Sequence, residues 1–136
     1  MRLNTGIITD KLEETKSFYV NKLGFTIVWE ADWFILLATP NGADTISFLL
    51  PNHPTQELAN FRQSFNGKGI YLTIEVDDVD IYFEGIKKLG IDIAVNIRTE
   101  EWGDRHFAII DPNDIGIDFV SHEKQNNDKK CQQVIE

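Results

Sequence analysis

Tyr71, Thr73 and Glu75 stand at every second position, alternating with the apolar Leu72, Ile74 and Val76. A period of two is that of a β-strand with one apolar and one polar face, so a phenol, a hydroxyl and a carboxylate share one side of a strand. A carboxylate on an enclosed face has a raised pKa unless it is paired, which is what a general base near neutrality needs. Glu75 is therefore a candidate base, with an ion pair, for example to Arg105, as the structural alternative. Arg105 follows Trp102-Gly103-Asp104 at a strand entrance, where a guanidinium beside an indole can hold the carboxylate or phosphate of a ligand through a bidentate contact. Its other role would be to balance Glu100, Glu101 and Asp104. Trp29, Trp33 and Trp102 could wall a planar ligand or serve as core or dimer contacts. His53, His106 and His122 show no i, i+2 spacing that would aim two imidazoles at one metal. Only His106 with Asp118 or Glu75 makes a set for a displaced metal.

These groups need a scaffold. The chain has 136 residues, 42% of them hydrophobic, enough for one domain with a core and too few for two ordinary independent ones. A net charge of −9 repels a phosphate backbone, which argues against nucleic acid as a partner. No apolar run reaches spanning length, and the start Met1-Arg2-Leu3-Asn4-Thr5 lacks the pattern of a signal peptide, so no membrane association and a cytoplasmic location are expected. The single cysteine, Cys131, permits no internal disulfide and suggests no thiolate site.

The scaffold is a duplication. Lys22-Leu23-Gly24-Phe25 and Lys88-Leu89-Gly90-Ile91 each close a helical stretch and open a strand. Asp77 or Asp78 can cap a helix whose apolar stripe is Val79, Tyr82, Phe83, Ile86 and Leu89, stopped by Gly90 in the left-handed conformation. In the first copy, Thr9 or Asp10 caps a helix with Leu12, Thr15, Tyr19 and Leu23 on one face before Gly24. A strand over residues 3–8 precedes this helix, and strands over 25–30, 33–38 and 45–50 follow it. In the second copy the following strands are 93–98, 105–110 and 115–121, with Asp111-Pro112-Asn113-Asp114 as a turn. The expected organisation is one domain over 1–122, made of module one (1–50), a linker (51–68) with a short helix near 56–62, and module two (69–122). A polar tail follows at 123–136. The fold class is α+β, two βαβββ modules related by a pseudo-twofold, their curved, mainly antiparallel sheets forming a cup-like cavity.

Leu12-Glu13-Glu14-Thr15-Lys16-Ser17-Phe18-Tyr19 before Lys22-Leu23-Gly24-Phe25 resembles the opening helix and turn of vicinal oxygen chelate proteins, the superfamily of glyoxalase I, bleomycin resistance proteins and extradiol dioxygenases. Val76-Asp77-Asp78-Val79-Asp80, Trp102-Gly103-Asp104-Arg105 and the run from Asp111-Pro112-Asn113-Asp114 to Ile115-Gly116-Ile117-Asp118 add the second helix start and the last hairpin. The resemblance implies a divalent metal between the modules, held by His, Glu or Gln on the first and last strand of each. Carried over, those positions fall on Asn4 (or Thr5), Ser47, Tyr71 and Asp118. One carboxylate, one amide and two hydroxyls offer no imidazole to a transition metal and too little charge for magnesium or calcium. A cavity without metal or other cofactor is therefore expected.

At such a position Tyr71 could donate to a substrate oxygen or act as a general acid, or could fill the space a metal once held. Asp118 could take part in proton transfer or in a structural ion pair. The leading expectation is a metal-free pocket, shared across a homodimer as in the bleomycin resistance branch, that holds an apolar or aromatic small molecule. Asn4, Trp33, Ser47, Tyr71, Thr73, Trp102 and Arg105 would contact it. The second is an enzyme, a lyase, isomerase or dioxygenase, working through Glu75, Tyr71 and Asp118 without metal or through a displaced metal at His106. The third is a partner-recognition surface with a vestigial cavity.

Overall fold

Alternation along the chain resolves into strands whose apolar sides face a helix. The structure, a computed structural model, describes residues 1–122, and the polar tail expected at 123–136, with Cys131, lies outside the described residues. In chain order the elements are β1 (Thr5–Ile8), α1 (Leu12–Lys16), β2 (Thr26–Ala31), β3 (Phe34–Ala38) and β4 (Thr45–Leu49), then β5 (Tyr71–Glu75), α2 (Val79–Lys88), β6 (Val95–Thr99), β7 (Arg105–Ile110) and β8 (Gly116–Ser121). They form two four-stranded mixed sheets, ordered β1-β4-β3-β2 and β5-β8-β7-β6. In each sheet the first strand runs parallel to the last and the other pairings are antiparallel. This is the α+β arrangement of two βαβββ modules. The chain divides into two compact units, residues 1–68 with 111–114, and residues 69–110 with those from 115 onward.

In the first unit Ile7, Ile35, Leu37, Ile46 and Phe48 are buried on one face of the sheet, together with Leu12, Phe18, Tyr19 and Phe25. The single helix expected before Gly24 instead changes pitch. After one α-helical turn, Ser17–Lys22 is π-helical, and Leu23 N–H reaches back to Phe18 O (3.1 Å). The wider turn lets the consecutive residues Phe18 and Tyr19 both enter the core, which a 3.6-residue stripe through Tyr19 and Leu23 does not allow. Tyr19 is fully buried, with ring centroids of Phe18 and Phe25 at 5.3 Å and Phe48 at 5.0 Å.

The Tyr19 hydroxyl donates to Asp111 Oδ2 (2.8 Å), and burial, with the Asp111 charge, pushes the phenol far above its usual pKa. Around the same turn Asn113 accepts from the Thr9 hydroxyl (2.5 Å) and donates to the Thr15 hydroxyl (3.0 Å). Asp10 makes no cap for α1. Thr9 Oγ1 instead accepts from Lys11 N–H (2.9 Å). Between the modules, part of the expected short helix appears as a 3-10 turn at Ala59–Phe61.

The second unit is the more regular. Asp78 caps α2 by accepting from Asp80 N–H (3.1 Å) and Ile81 N–H (3.3 Å). Val79, Phe83 and Ile86 are buried, whereas Tyr82 and Leu89, on the margins of the stripe, stay partly exposed. Phe107 stacks on Phe119 (5.1 Å) and meets the edge of Phe83 (5.2 Å). Gly24 (φ 78°) and Gly90 (φ 75°) end the two helical stretches in the left-handed region.

Tyr19→Phe leaves the buried Asp111 carboxylate short of a donor. Urea denaturation at neutral pH is expected to show a loss of about 1–3 kcal/mol, with an unchanged m-value.

Candidate functional site

Period-two alternation on β7 sends Phe107 and Ile109 toward α2 and His106 and Ala108 to the opposite face. On β8 Asp118 shares that second face, and on β5 Thr73 lies opposite it in register. Two histidines organise this polar side of the second unit. His106 donates from Nδ1 to Asp118 Oδ1 (2.8 Å) and from Nε2 to Glu100 Oε1 (2.9 Å). His122 donates from Nδ1 to Asp104 Oδ1 (2.6 Å) and from Nε2 to Glu75 Oε1 (3.3 Å). Arg98 adds a second cation to Glu100. The hydrogen bond from Glu100 holds the His106 pKa above its usual value, against a smaller opposing effect of burial, and Asp118 adds to the rise. Asp104 does the same for His122, with Glu75 contributing less. His106 and Arg98 together hold Glu100 below the usual carboxylate range.

The predicted residues of this unit distribute as follows. Glu75 and Asp118 each meet an imidazole. Tyr71 is 71% exposed, and Thr73 is exposed beside Asp118. Trp102 is more than half exposed and its indole N–H donates to Asp104 Oδ2 (2.9 Å). Arg105 is on the other side. It has the parity of Phe107, so it faces α2 and grips Asp80 through Nε (3.0 Å) and Nη2 (3.0 Å), raising its own pKa and lowering that of Asp80. Glu100, Asp104 and His122 entered the sequence reading as neighbours of Arg105 or as a strand end. One signal could have found them: the β7–β8 register, Arg105 opposite Ser121, sets Asp104 opposite His122 when carried one step further.

In the first unit the face of the sheet away from α1 carries Asn4, Thr45 and Ser47. Ser47 is buried and donates to Asn4 Oδ1 (3.1 Å), while Asn4 Nδ2 donates to Thr45 Oγ1 (2.8 Å). Gly6 pairs with Ser47, so Asn4 shares that side, whereas Thr5 pairs with the core residue Ile46. Trp29, half exposed, leans on Phe34 (5.6 Å), which also meets Trp33 (5.5 Å), and Trp33 stacks on the His53 imidazole (3.7 Å). A cleft of about 200 Å³ beside α1, lined by Asp10, Lys11, Glu13, Glu14 and Asp32 among others, contains none of the predicted residues.

With this geometry described, comparison with known proteins is direct. The family described as Glyoxalase/Bleomycin resistance protein/Dioxygenase superfamily matches residues 3–119. The chain belongs to that superfamily. A bleomycin resistance protein of Geobacillus stearothermophilus is 29% identical over 125 residues, covering 83% of this chain and 90% of its own. Among solved structures, a superfamily member from Nocardioides superposes with a TM-score of 0.76 at 16% identity, covering 91% of this chain and 84% of that one. An antibiotic binding protein from Streptomyces sp. CB03234 superposes at 0.70 and 16% identity, covering 90% and 96%.

The four positions at which the superfamily resemblance places metal ligands do not fit a divalent cation here. Asn4 and Ser47 are hydrogen-bonded to each other, Tyr71 offers a neutral phenol, and Asp118 already accepts from His106. Among the described residues no group of three or more His, Cys, Asp or Glu side chains is placed to hold a metal ion, and no helix is long and apolar enough to cross a membrane.

A histidine whose folded pKa lies above its unfolded 6.5 contributes stability that is fully present below that value and is lost as pH rises through the folded one. Glu100, depressed from 4.5, contributes above that value and loses the contribution as pH falls through its lowered pKa. His106→Gln is therefore expected to cost most at about pH 5–6, on the order of 1–2 kcal/mol. The deficit relative to the parent should shrink at alkaline pH, as read from thermal midpoints across a pH series.

Proposed function

We propose that the protein is a small-molecule-binding member of its superfamily. Its ligand would be an aromatic compound of the antibiotic class with cationic groups, and binding would need no metal. One observation carries this reading: the groups that acid-base catalysis would use are already engaged with one another. Each of His106 and His122 has both ring nitrogens hydrogen-bonded to carboxylates, so neither offers a free lone pair to a substrate. What is left open is flat aromatic surface, at Trp29 and Trp102, and a carboxylate-rich face, both suited to stacking and charge pairing. The relationship to a bleomycin resistance protein supports the same ligand class.

The same reading takes the chain as a homodimer. Supporting it, the consecutive residues Ile27, Val28 and Trp29 on the edge strand β2 are all exposed, an apolar edge that a monomer ordinarily protects.

Bleomycin titrated into the protein should quench tryptophan fluorescence saturably, with the same isotherm by calorimetry before and after EDTA treatment. Trp102→Ala and Glu75→Gln should each weaken binding about tenfold, or about 1.4 kcal/mol. Turnover of methylglyoxal hemithioacetal after loading with zinc or nickel would instead establish the enzyme reading. In sedimentation equilibrium the parent should give the mass of two chains, and Trp29→Lys the mass of one.

A further inference from the structure

The turn joining β6 to β7 is tight, with Glu100 N–H donating to Asp104 O (2.8 Å) and Gly103 N–H to Glu100 O (2.9 Å). Trp102 stands at its tip, with its ring largely open to solvent. Neither backbone bond ties this turn to β5 or β8. The side-chain ties are made at its two ends by histidines. His106 links Glu100 to Asp118 on β8, and His122 links Asp104 to Glu75 on β5. Each imidazole thus joins one carboxylate of the turn to one carboxylate of a strand.

The geometry assigns to this turn the role of a pH-gated arm, fastened to the polar face of the sheet while His106 and His122 are both cationic and released when they lose their protons. A cationic imidazole has two N–H donors and can serve two carboxylates at once. A neutral one has a single donor, and its other nitrogen presents a lone pair to an anion. Deprotonation must therefore open one bond in each bridge. The charges facing the pair add to the effect: Glu75 from β5, Arg98 from β6, Glu100 and Asp104 from the turn, and Asp118 from β8. With both imidazoles neutral, Arg98 is the one cation facing four carboxylates in this set, and their mutual repulsion pushes the turn outward. Both histidines already titrate above their usual range, so the gate acts on the neutral-to-alkaline side. Trp102 reports on it directly, because its indole N–H donates to Asp104 Oδ2 while His122 holds Oδ1 of the same carboxylate. The inference does not depend on which ligand the protein takes.

The test is nitrogen-15 relaxation of the three indole N–H groups in the full-length protein across a pH series, with Trp102→Phe to assign the signal and ring nitrogen shifts to follow both histidines. The Trp102 indole is expected to pass from an order parameter of about 0.85 to below about 0.6 as the two imidazoles titrate, with Trp29 and Trp33 unchanged. Glu75→Gln, on an exposed side chain, should shift the Trp102 transition to lower pH. In the His106→Gln/His122→Gln double variant, if it retains cooperative unfolding, the Trp102 transition should be absent. The proposal is overturned if Trp102 keeps one order parameter while both imidazoles lose their protons, or if the transition is the same in the folded double variant. If that variant does not fold, the parent and Glu75→Gln titrations decide.

Discussion

Adjacent side chains on a strand must point to opposite sides of the sheet, and in this protein that single constraint sets both what is buried and what is charged. On β7, Phe107 stacks against Phe119 beneath α2 while its neighbour His106 turns to the carboxylates. A slip of one residue would exchange them, exposing a ring worth about 2–3 kcal/mol when buried and forcing a cation into an apolar layer. The core therefore fixes the register, and the register delivers the polar cluster as a by-product. Glu75, Asp104, Asp118 and the histidines are neighbours because the phenylalanines and isoleucines behind them have no other arrangement.

Much of this was legible in the residues, for local reasons. Asp78 ahead of an amphipathic stripe, glycine after each Lys-Leu pair and the alternation on either side of Asp111-Pro112-Asn113-Asp114 state their conformations in short windows. The π-helical stretch at Ser17–Lys22 was not legible, because Leu12, Thr15, Tyr19 and Leu23 also satisfy an ordinary helical period. What selects the wider turn is tertiary, the need to bury Phe18 and Tyr19 together. For the candidate site, Tyr71, Thr73 and Glu75 were correctly grouped on one face, but nothing local showed that Glu75 would meet His122, or that parity would turn Arg105 away to Asp80.

The polar side of the second unit is accordingly a closed set of charges. Its imidazoles have no unsatisfied nitrogen, and two of the positions at which relatives bind metal are hydrogen-bonded to each other in the first unit. Such a surface presents field and shape to an incoming molecule more than exchangeable protons. The overall charge of −9 acts in the same direction, since it favours cationic over anionic visitors at long range.

The repeat in the sequence invites the idea of two interchangeable halves, but the assignment of residues 111–114 to the first unit contradicts it. Asp111 and Asn113 satisfy the hydroxyls of Tyr19, Thr9 and Thr15, yet ribosomal synthesis supplies them some ninety residues after Tyr19. A fragment ending within the linker would leave a phenol and two threonines without their native partners in its own core. The N-terminal module can therefore settle only after nearly the whole chain has emerged, and the duplication is complementary in architecture while asymmetric in its folding order.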